Sequence, residues 1–260
     1  MKRIFILFVL TFFFSNPCLA DSIRIVQVDN LYFMPTNEQS VNNFNSVITG
    51  INRLKDVDFV VFSGNNISKP KKEYLESFIK TANKLKAPYY MIIGNKEVNV
   101  QKDFGKREYL EVLGKNIRFY KKITSANYVF EKSNTVFLVV DGAKEVIPSS
   151  MGYYKADTLS WLDNQLDQYK DKNVVILQHF PVVPPVAKES RYTYKAEEYL
   201  KVLNKHKNVK AVICGHFEVN KEVLVNDVLH ISTKNAPSYR VIDILDSETS
   251  NPIFWSIIKE

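Results

Sequence analysis

Asp58-Phe59-Val60-Val61-Phe62-Ser63-Gly64-Asn65 decides the fold. Its four central residues are β-branched or aromatic and do not alternate with polar ones, which predicts a strand buried on both faces. Gly64-Asn65 stops it with turn chemistry. Upstream, Ile23 to Val28 is another β-rich run. Between the two, Val41, Phe44, Ile48, Ile51 and Leu54 recur at helical spacing. Downstream, Tyr74, Leu75, Phe78, Ile79, Ala82 and Leu85 mark a second amphipathic helix. Pro88 then opens a third strand, Tyr89 to Ile93, which stops at Gly94-Asn95. The order β-α-β-α-β predicts parallel strands joined by crossover helices.

The second half changes rhythm. Tyr128 to Glu131 and Thr135 to Val140 flank Lys132-Ser133-Asn134 and read as a hairpin. A helix is predicted over Ala156 to Tyr169, then a strand over Val174 to Leu177, followed by His179 and a loop with Pro181, Pro184 and Pro185. A helix over Ala196 to Leu203 leads to a strand over Val209 to Ile213 that stops at Gly215-His216. Two hairpins close the chain: Glu222 to Val225 with Val228 to Ser232, and Tyr239 to Leu245 with Ile253 to Ile258. There is no repeat and no linker, so residues 21–260 are expected to form a single α/β domain of mixed sheets flanked by helices.

The 260 residues are 45% hydrophobic and 24% charged, which excludes disordered and collagen-like chains and leaves ample material for a core. Met1-Lys2-Arg3, the apolar run Ile4 to Phe14 and the small residue Ala20 before Asp21 have the grammar of a secretory signal peptide. The apolar run is about half of the roughly 20 residues a membrane span needs. Residues 1–20 are therefore expected to be cleaved after Ala20 during export, giving a periplasmic protein with no transmembrane helix in the mature chain. Cleavage removes Lys2 and Arg3 and lowers the formal net charge from +7 to +5; it also removes Cys18, leaving Cys214 alone. The basic excess is scattered, and no aromatic-interleaved basic stripe predicts nucleic-acid binding.

Five predicted strands end in polar, loop-forming residues: Asp29-Asn30, Gly64-Asn65, Gly94-Asn95, His179 and Gly215-His216. Ligands of open α/β sheets bind outside the carboxyl ends of strands, so these groups are expected to converge on one crevice. Asp29 adjoins Asn30, and strand alternation predicts that it points away from the ligand side.

These segments resemble the calcineurin-like metallophosphoesterases, in particular their cyclic-nucleotide-phosphodiesterase-like branch. Val26-Gln27-Val28-Asp29-Asn30-Leu31-Tyr32-Phe33 lies where that family has a strand ending in Asp-x-His. Phe62-Ser63-Gly64-Asn65-Asn66-Ile67 matches its Gly-Asp segment, and Ile93-Gly94-Asn95-Lys96-Glu97 its Gly-Asn-His-Glu segment. Leu177-Gln178-His179-Phe180-Pro181 matches His-x-Pro, and Cys214-Gly215-His216-Phe217-Glu218 matches Gly-His-x-His. The resemblance implies a four-layer α/β/β/α sandwich of two mixed sheets, with a dinuclear metal site at the strand ends.

The match is incomplete at the metal ligands. The positions of the implied first metal hold Asn30, Tyr32, Asn65 and Glu218; those of the second hold Asn65, Asn95, His179 and His216. Lys96 stands where the family has its leaving-group acid, a histidine. A two-metal hydrolase needs anionic ligands and a bridge, and Asn65 keeps the shape of the bridging Asp without its charge. The expected cofactor is none, or one weakly bound divalent ion (Mn, Zn or Fe) at the second site. The expected role is binding of a phosphate-containing small molecule or a protein partner, with little or no hydrolysis. Lys96, Asn65, Asn95, His179 and His216 would then cradle the anion, unless Lys96 turns to solvent or pairs with Glu97. The alternative is a phosphomonoester or diester hydrolase that uses one metal at His179, His216 and Asn95, with Lys96 assisting the leaving group. No G-x-S-x-G is present, and Cys214 at the end of a buried strand reads as an inert thiol.

Overall fold

The computed structural model describes residues 22–117, 123–245 and 252–259. The expected leader, residues 1–20, lies outside them. Strands β1 (Ser22–Val28), β2 (Phe59–Phe62) and β3 (Tyr89–Met91) run parallel, and helices α1 (Glu38–Asn52) and α2 (Lys72–Ala82) connect them. Two strands from the far end of the chain, β10 (Tyr239–Leu245) and β11 (Ile253–Lys259), extend this sheet antiparallel beside β1, giving the order β11-β10-β1-β2-β3. The second sheet has the order β4-β5-β6-β7-β9-β8. Its members are β4 (Tyr128–Lys132), β5 (Thr135–Val140), β6 (Asn173–Gln178), β7 (Val209–Cys214), β8 (Lys221–Val225) and β9 (Val228–Ser232). Helices α3 (Lys106–Asn116), α4 (Ala156–Gln168) and α5 (Ala196–Lys205) complete the fold.

The alternation hidden inside β2 explains the layering. Phe62 faces one side, with its ring 5.9 Å from Phe44 of α1 and 5.0 Å from Phe78 of α2. Phe59 faces the other side, 5.0 Å from the ring of Phe137 of β5. The same division holds throughout. Ile23, Ile25, Val61, Val139, Leu177, Ile213 and Ile242 pack between the two sheets, while Val26, Val60, Leu138, Ile176 and Val212 pack toward the helices. Two mixed sheets face each other with helices outside, as the resemblance implied. Both layers stabilise the fold, the helix-facing one being the larger, since each fully buried side chain of this size contributes roughly 1.5–3 kcal/mol.

Helix α1 starts where Asn37 accepts a 2.8 Å hydrogen bond from the Ser40 amide, a side-chain N-cap. The β8–β9 hairpin turns on Asn226-Asp227, both at positive φ (49° and 63°) as a two-residue hairpin loop demands. Two expectations are revised. The third strand stops at Met91 rather than Ile93, and α3 was not predicted. That helix buries only Tyr109, Val112 and Leu113, too sparse a stripe to announce itself. At the open edge, β11 carries Ile253, Trp255 and Ile257 exposed to solvent. Among the described residues no helix is long and apolar enough to cross a membrane.

Candidate functional site

The parallel strands of both sheets end at one edge, and their following loops meet there. The Asn30 amide donates to the Gly64 carbonyl (3.1 Å), and the Tyr32 amide to the Asn65 carbonyl (2.9 Å). Asn30, Tyr32, Asn65, His216 and Glu218 all have left-handed backbones, with φ between 46° and 72°. For side chains other than glycine that conformation is uncommon and clusters at ligand sites. Gly64 (φ 106°) is required, because a Cβ there would lie 2.4 Å from His179 Nδ1. Beneath the loops, the Glu97 carboxylate is fully buried. Its Oε2 accepts from the amides of Gly94 (2.8 Å) and Asn65 (3.1 Å), and its Oε1 from those of Asn66 and Ile67. Burial lifts its carboxyl to about 7, against the pull of these amides.

The amide side chains satisfy one another. Asn65 Nδ2 donates to Asn30 Oδ1 (2.8 Å), Asn95 Oδ1 (3.2 Å) and, more weakly, Tyr32 Oη (3.4 Å). Asn65 Oδ1 accepts from the Lys96 amide (3.1 Å). The Tyr32 hydroxyl donates to Glu218 Oε1 (3.0 Å). Burial, and then the Glu218 charge, push the phenol well above its ordinary range, so it stays neutral.

The two histidines are arranged differently. His179 Nδ1 lies 2.7 Å from the Ser63 carbonyl, and His216 Nε2 lies 2.7 Å from the Ser150 carbonyl. A carbonyl only accepts, so each of these nitrogens carries the hydrogen. The remaining nitrogens, His179 Nε2 and His216 Nδ1, face each other at 3.2 Å. In neutral rings both present lone pairs, which repel unless a proton or a cation lies between them. Burial lowers the basicity of both: His179 falls well below the usual imidazole range and His216 to about 4, with the neighbouring Arg191 charge contributing. Fixing the outer nitrogens on carbonyls is the usual way proteins aim metal-binding imidazoles.

Glu218, one of the residues implied for the first metal, is held in an ion pair. Arg191, from the 3-10 turn Glu189–Arg191, donates through one guanidinium nitrogen to Glu218 Oε1 (3.2 Å) and through the other to the His216 carbonyl. Sequence reasoning missed Arg191. It also missed the Ser150 carbonyl, a backbone atom with no signature in the residue alphabet.

The structure thus brings Asn30, Tyr32, Asn65, Asn95, His179, His216 and Glu218 together. Lys96 joins them through its backbone, while its side chain is exposed; Glu97 is committed to four amides, so a Lys96–Glu97 pair does not form. Asp29 keeps the face of Gln27, as alternation predicts: both side chains bond Ser63 Oγ. Its carboxylate is fully buried, accepting from Ser63 Oγ (2.9 Å), the Asn30 side chain (2.6 Å) and the His216 amide (3.0 Å). Burial raises its carboxyl well above the usual range. Gly215 makes room for it, since a Cβ there would lie 1.7 Å from Asp29 Oδ1. Tyr194 is exposed, whereas Tyr192 is half-buried and stacks on Phe217. The buried Cys214 thiol is pushed up to about 12 by desolvation and is inert at neutral pH.

Among the described residues, no three His, Cys, Asp or Glu side chains form a group that could hold a metal ion. The first set of donors is two amides, a neutral phenol and a carboxylate already paired with Arg191. The second is two convergent imidazole nitrogens with amides beside them.

A model of the family described as calcineurin-like phosphoesterase matches residues 29–218, from the first of these loops to the last. The chain belongs to that family. It is 24% identical over 237 residues to the protein named "Probable glycerophosphodiester phosphodiesterase GpdQ" of Arcobacter nitrofigilis, covering 84% of this chain and 79% of that one. It is 21% identical over 206 residues to the 3',5'-cyclic-nucleotide phosphodiesterase alr5338 of Nostoc, covering 75% of this chain and 71% of that one. Among solved structures, a dimetal phosphatase from Danio rerio superposes with a TM-score of 0.63 at 15% identity, over 89% of this chain and 98% of the other. GAP50, the anchor in the inner membrane complex of Plasmodium, gives 0.59 at 16% identity, over 92% and 90%. At those identities the likeness is one of fold.

Proposed function

We propose that this calcineurin-like phosphoesterase is an exported member whose crevice binds a phosphate-like anion or a partner and hydrolyses phosphoesters weakly or not at all. The observation that supports the reading is the closed hydrogen-bonding of Asn30, Tyr32 and Asn65: uncharged groups occupy the places where two dications need anionic ligands and a bridge. This donor set does not fit a metal pair. Two Asp facing each other without metal would repel; Asn keeps the hydrogen bonds and removes the repulsion. Arg191 supplies positive charge at the crevice, which suits an oxyanion, and the exposed Lys96 adds a cation on the loop after β3. Export rests on the leader grammar of residues 1–20.

One observation favours the alternative, a hydrolase with a single metal at His179, His216 and Asn95: the facing lone pairs of His179 Nε2 and His216 Nδ1. A cation there would polarise a phosphoryl oxygen. The names of the relatives make a phosphodiester the first substrate to try.

Metal content of the purified chain, followed by turnover of bis(p-nitrophenyl) phosphate and p-nitrophenyl phosphate with added manganese, separates the two. The expected result is less than stoichiometric metal, turnover at background, and calorimetric binding of inorganic phosphate that weakens in Lys96→Ala. Manganese-dependent turnover abolished by His179→Ala would establish the hydrolase instead.

A further inference from the structure

Glu218 is itself an oxyanion, and the groups around it show how the crevice holds one. Its Oε1 receives the Tyr32 hydroxyl at 3.0 Å and the Arg191 guanidinium at 3.2 Å. The backbone at Glu218 is left-handed (φ 62°), a conformation L residues rarely adopt, and this turn delivers the carboxylate. Arg191 is held in place from the opposite side. Its second guanidinium nitrogen is anchored on the His216 carbonyl, and its segment is tied to the Ser150 loop by the Ser150 hydroxyl on the Ser190 carbonyl (2.7 Å) and the Tyr194 amide on the Gly152 carbonyl (2.8 Å). The two side chains keep 19% and 31% of their accessibility, so solvent reaches the pair. Tyr32 also borders an open pocket of about 280 Å³ beside Leu31, Met34 and Ala236.

We infer that Arg191 and Tyr32 form the oxyanion holder of the crevice and that Glu218 is a built-in competitor occupying it. A phosphate or phosphate monoester binds by displacing the Glu218 carboxylate from both donors. The inference rests on the proposed reading that the crevice takes a phosphate-like anion, and it adds the groups responsible and a reason for modest affinity. Planar guanidinium recognition of phosphate is the stronger, geometry-specific kind. A carboxylate tethered beside it competes at high effective concentration.

Calorimetry with inorganic phosphate tests this on the intact chain, Glu218→Gln, Arg191→Gln, Arg191→Lys and, as a control for charge alone, Glu76→Gln on α2. Glu218→Gln is expected to tighten binding at least tenfold, because the competitor loses its charge. Arg191→Gln is expected to lose detectable binding, Arg191→Lys to retain part of it, and Glu76→Gln to match the parent. Phosphate affinity unchanged in Glu218→Gln, or equal gains in Glu76→Gln and Glu218→Gln, overturns the inference. If the parent binds and neither the Glu218 nor the Arg191 variants differ from it, the proposed reading stands and the inference falls. If only Glu218→Gln binds, the inference stands and the parent is too self-occupied for the proposed reading. No binding in any form overturns both. Should Arg191→Gln fail to fold by circular dichroism, Glu218→Gln and Arg191→Lys decide.

Discussion

Glu97 shows how one buried side chain fixes the shape of a site without facing it. Its two oxygens collect the amides of Gly94, Asn65, Asn66 and Ile67, joining the loops after β2 and β3. An amide in its place has one acceptor and turns an N–H toward peptide donors. Glu97→Gln is therefore expected to cost at least about 2 kcal/mol, the penalty for stranding buried donors, which for a domain of this size lowers Tm by roughly 4–8 °C. Differential scanning calorimetry checks it; an unchanged Tm would mean the loops hold themselves. The site was only partly legible at this scale. The Gly-Asn turns and both histidines could be read, because each stands within two residues of the end of an apolar run. Arg191 could not, since it reaches Glu218 across 27 residues from a short turn with no periodicity. Asp29 could be read by alternation, since it shares the Gln27 face and the Ser63 hydroxyl.

Among the elements, β9 carries a titratable group unrelated to the crevice. His230 is buried in that strand, its Nδ1 has no hydrogen-bond partner, and desolvation lowers its pKa from 6.5 to about 4. The unfolded imidazole takes up a proton near 6.5 and the folded one only near 4, so between those values the unfolded state binds more protons. Stability contributed by the neutral ring is thus present above pH 6.5 and lost as pH falls toward 4. Between pH 7 and pH 5 the loss amounts to about 2 kcal/mol. Urea denaturation at both pH values is expected to show His230→Gln losing correspondingly less than the parent across that interval; equal losses would assign the acid sensitivity to other groups. Elements were legible where burial was complete. All of β2 and β5 is buried and reads as strand from side-chain type alone. The long-range antiparallel partnership of β1 with β10 was not legible, because register between segments more than 200 residues apart is set by packing rather than by local pattern.

For the whole molecule, the two-sheet frame and the crevice chemistry are separable. The backbone hydrogen bonds that shape the loops, and Glu97 beneath them, do not depend on the side chains at positions 30, 32, 65, 96 and 218. Combining Asn30→Asp, Tyr32→His, Asn65→Asp, Lys96→His and Glu218→His is therefore expected to keep the fold and to confer binding of two manganese ions per chain, with phosphodiester turnover appearing alongside. Titration followed by electron paramagnetic resonance counts the ions; a folded variant that still binds none would show that the frame itself has drifted.

The indole on the last strand offers a spectroscopic dividend. The chain has two tryptophans, and Trp255 is 61% exposed on the outer rim of the first sheet, in a strand that supplies no crevice residue. Its emission should be red-shifted and readily quenched by acrylamide, and it should stay the same when phosphate or manganese is added. A blue shift of that emission on concentrating the protein would then report contact along the rim, a signal independent of anything happening among the histidines.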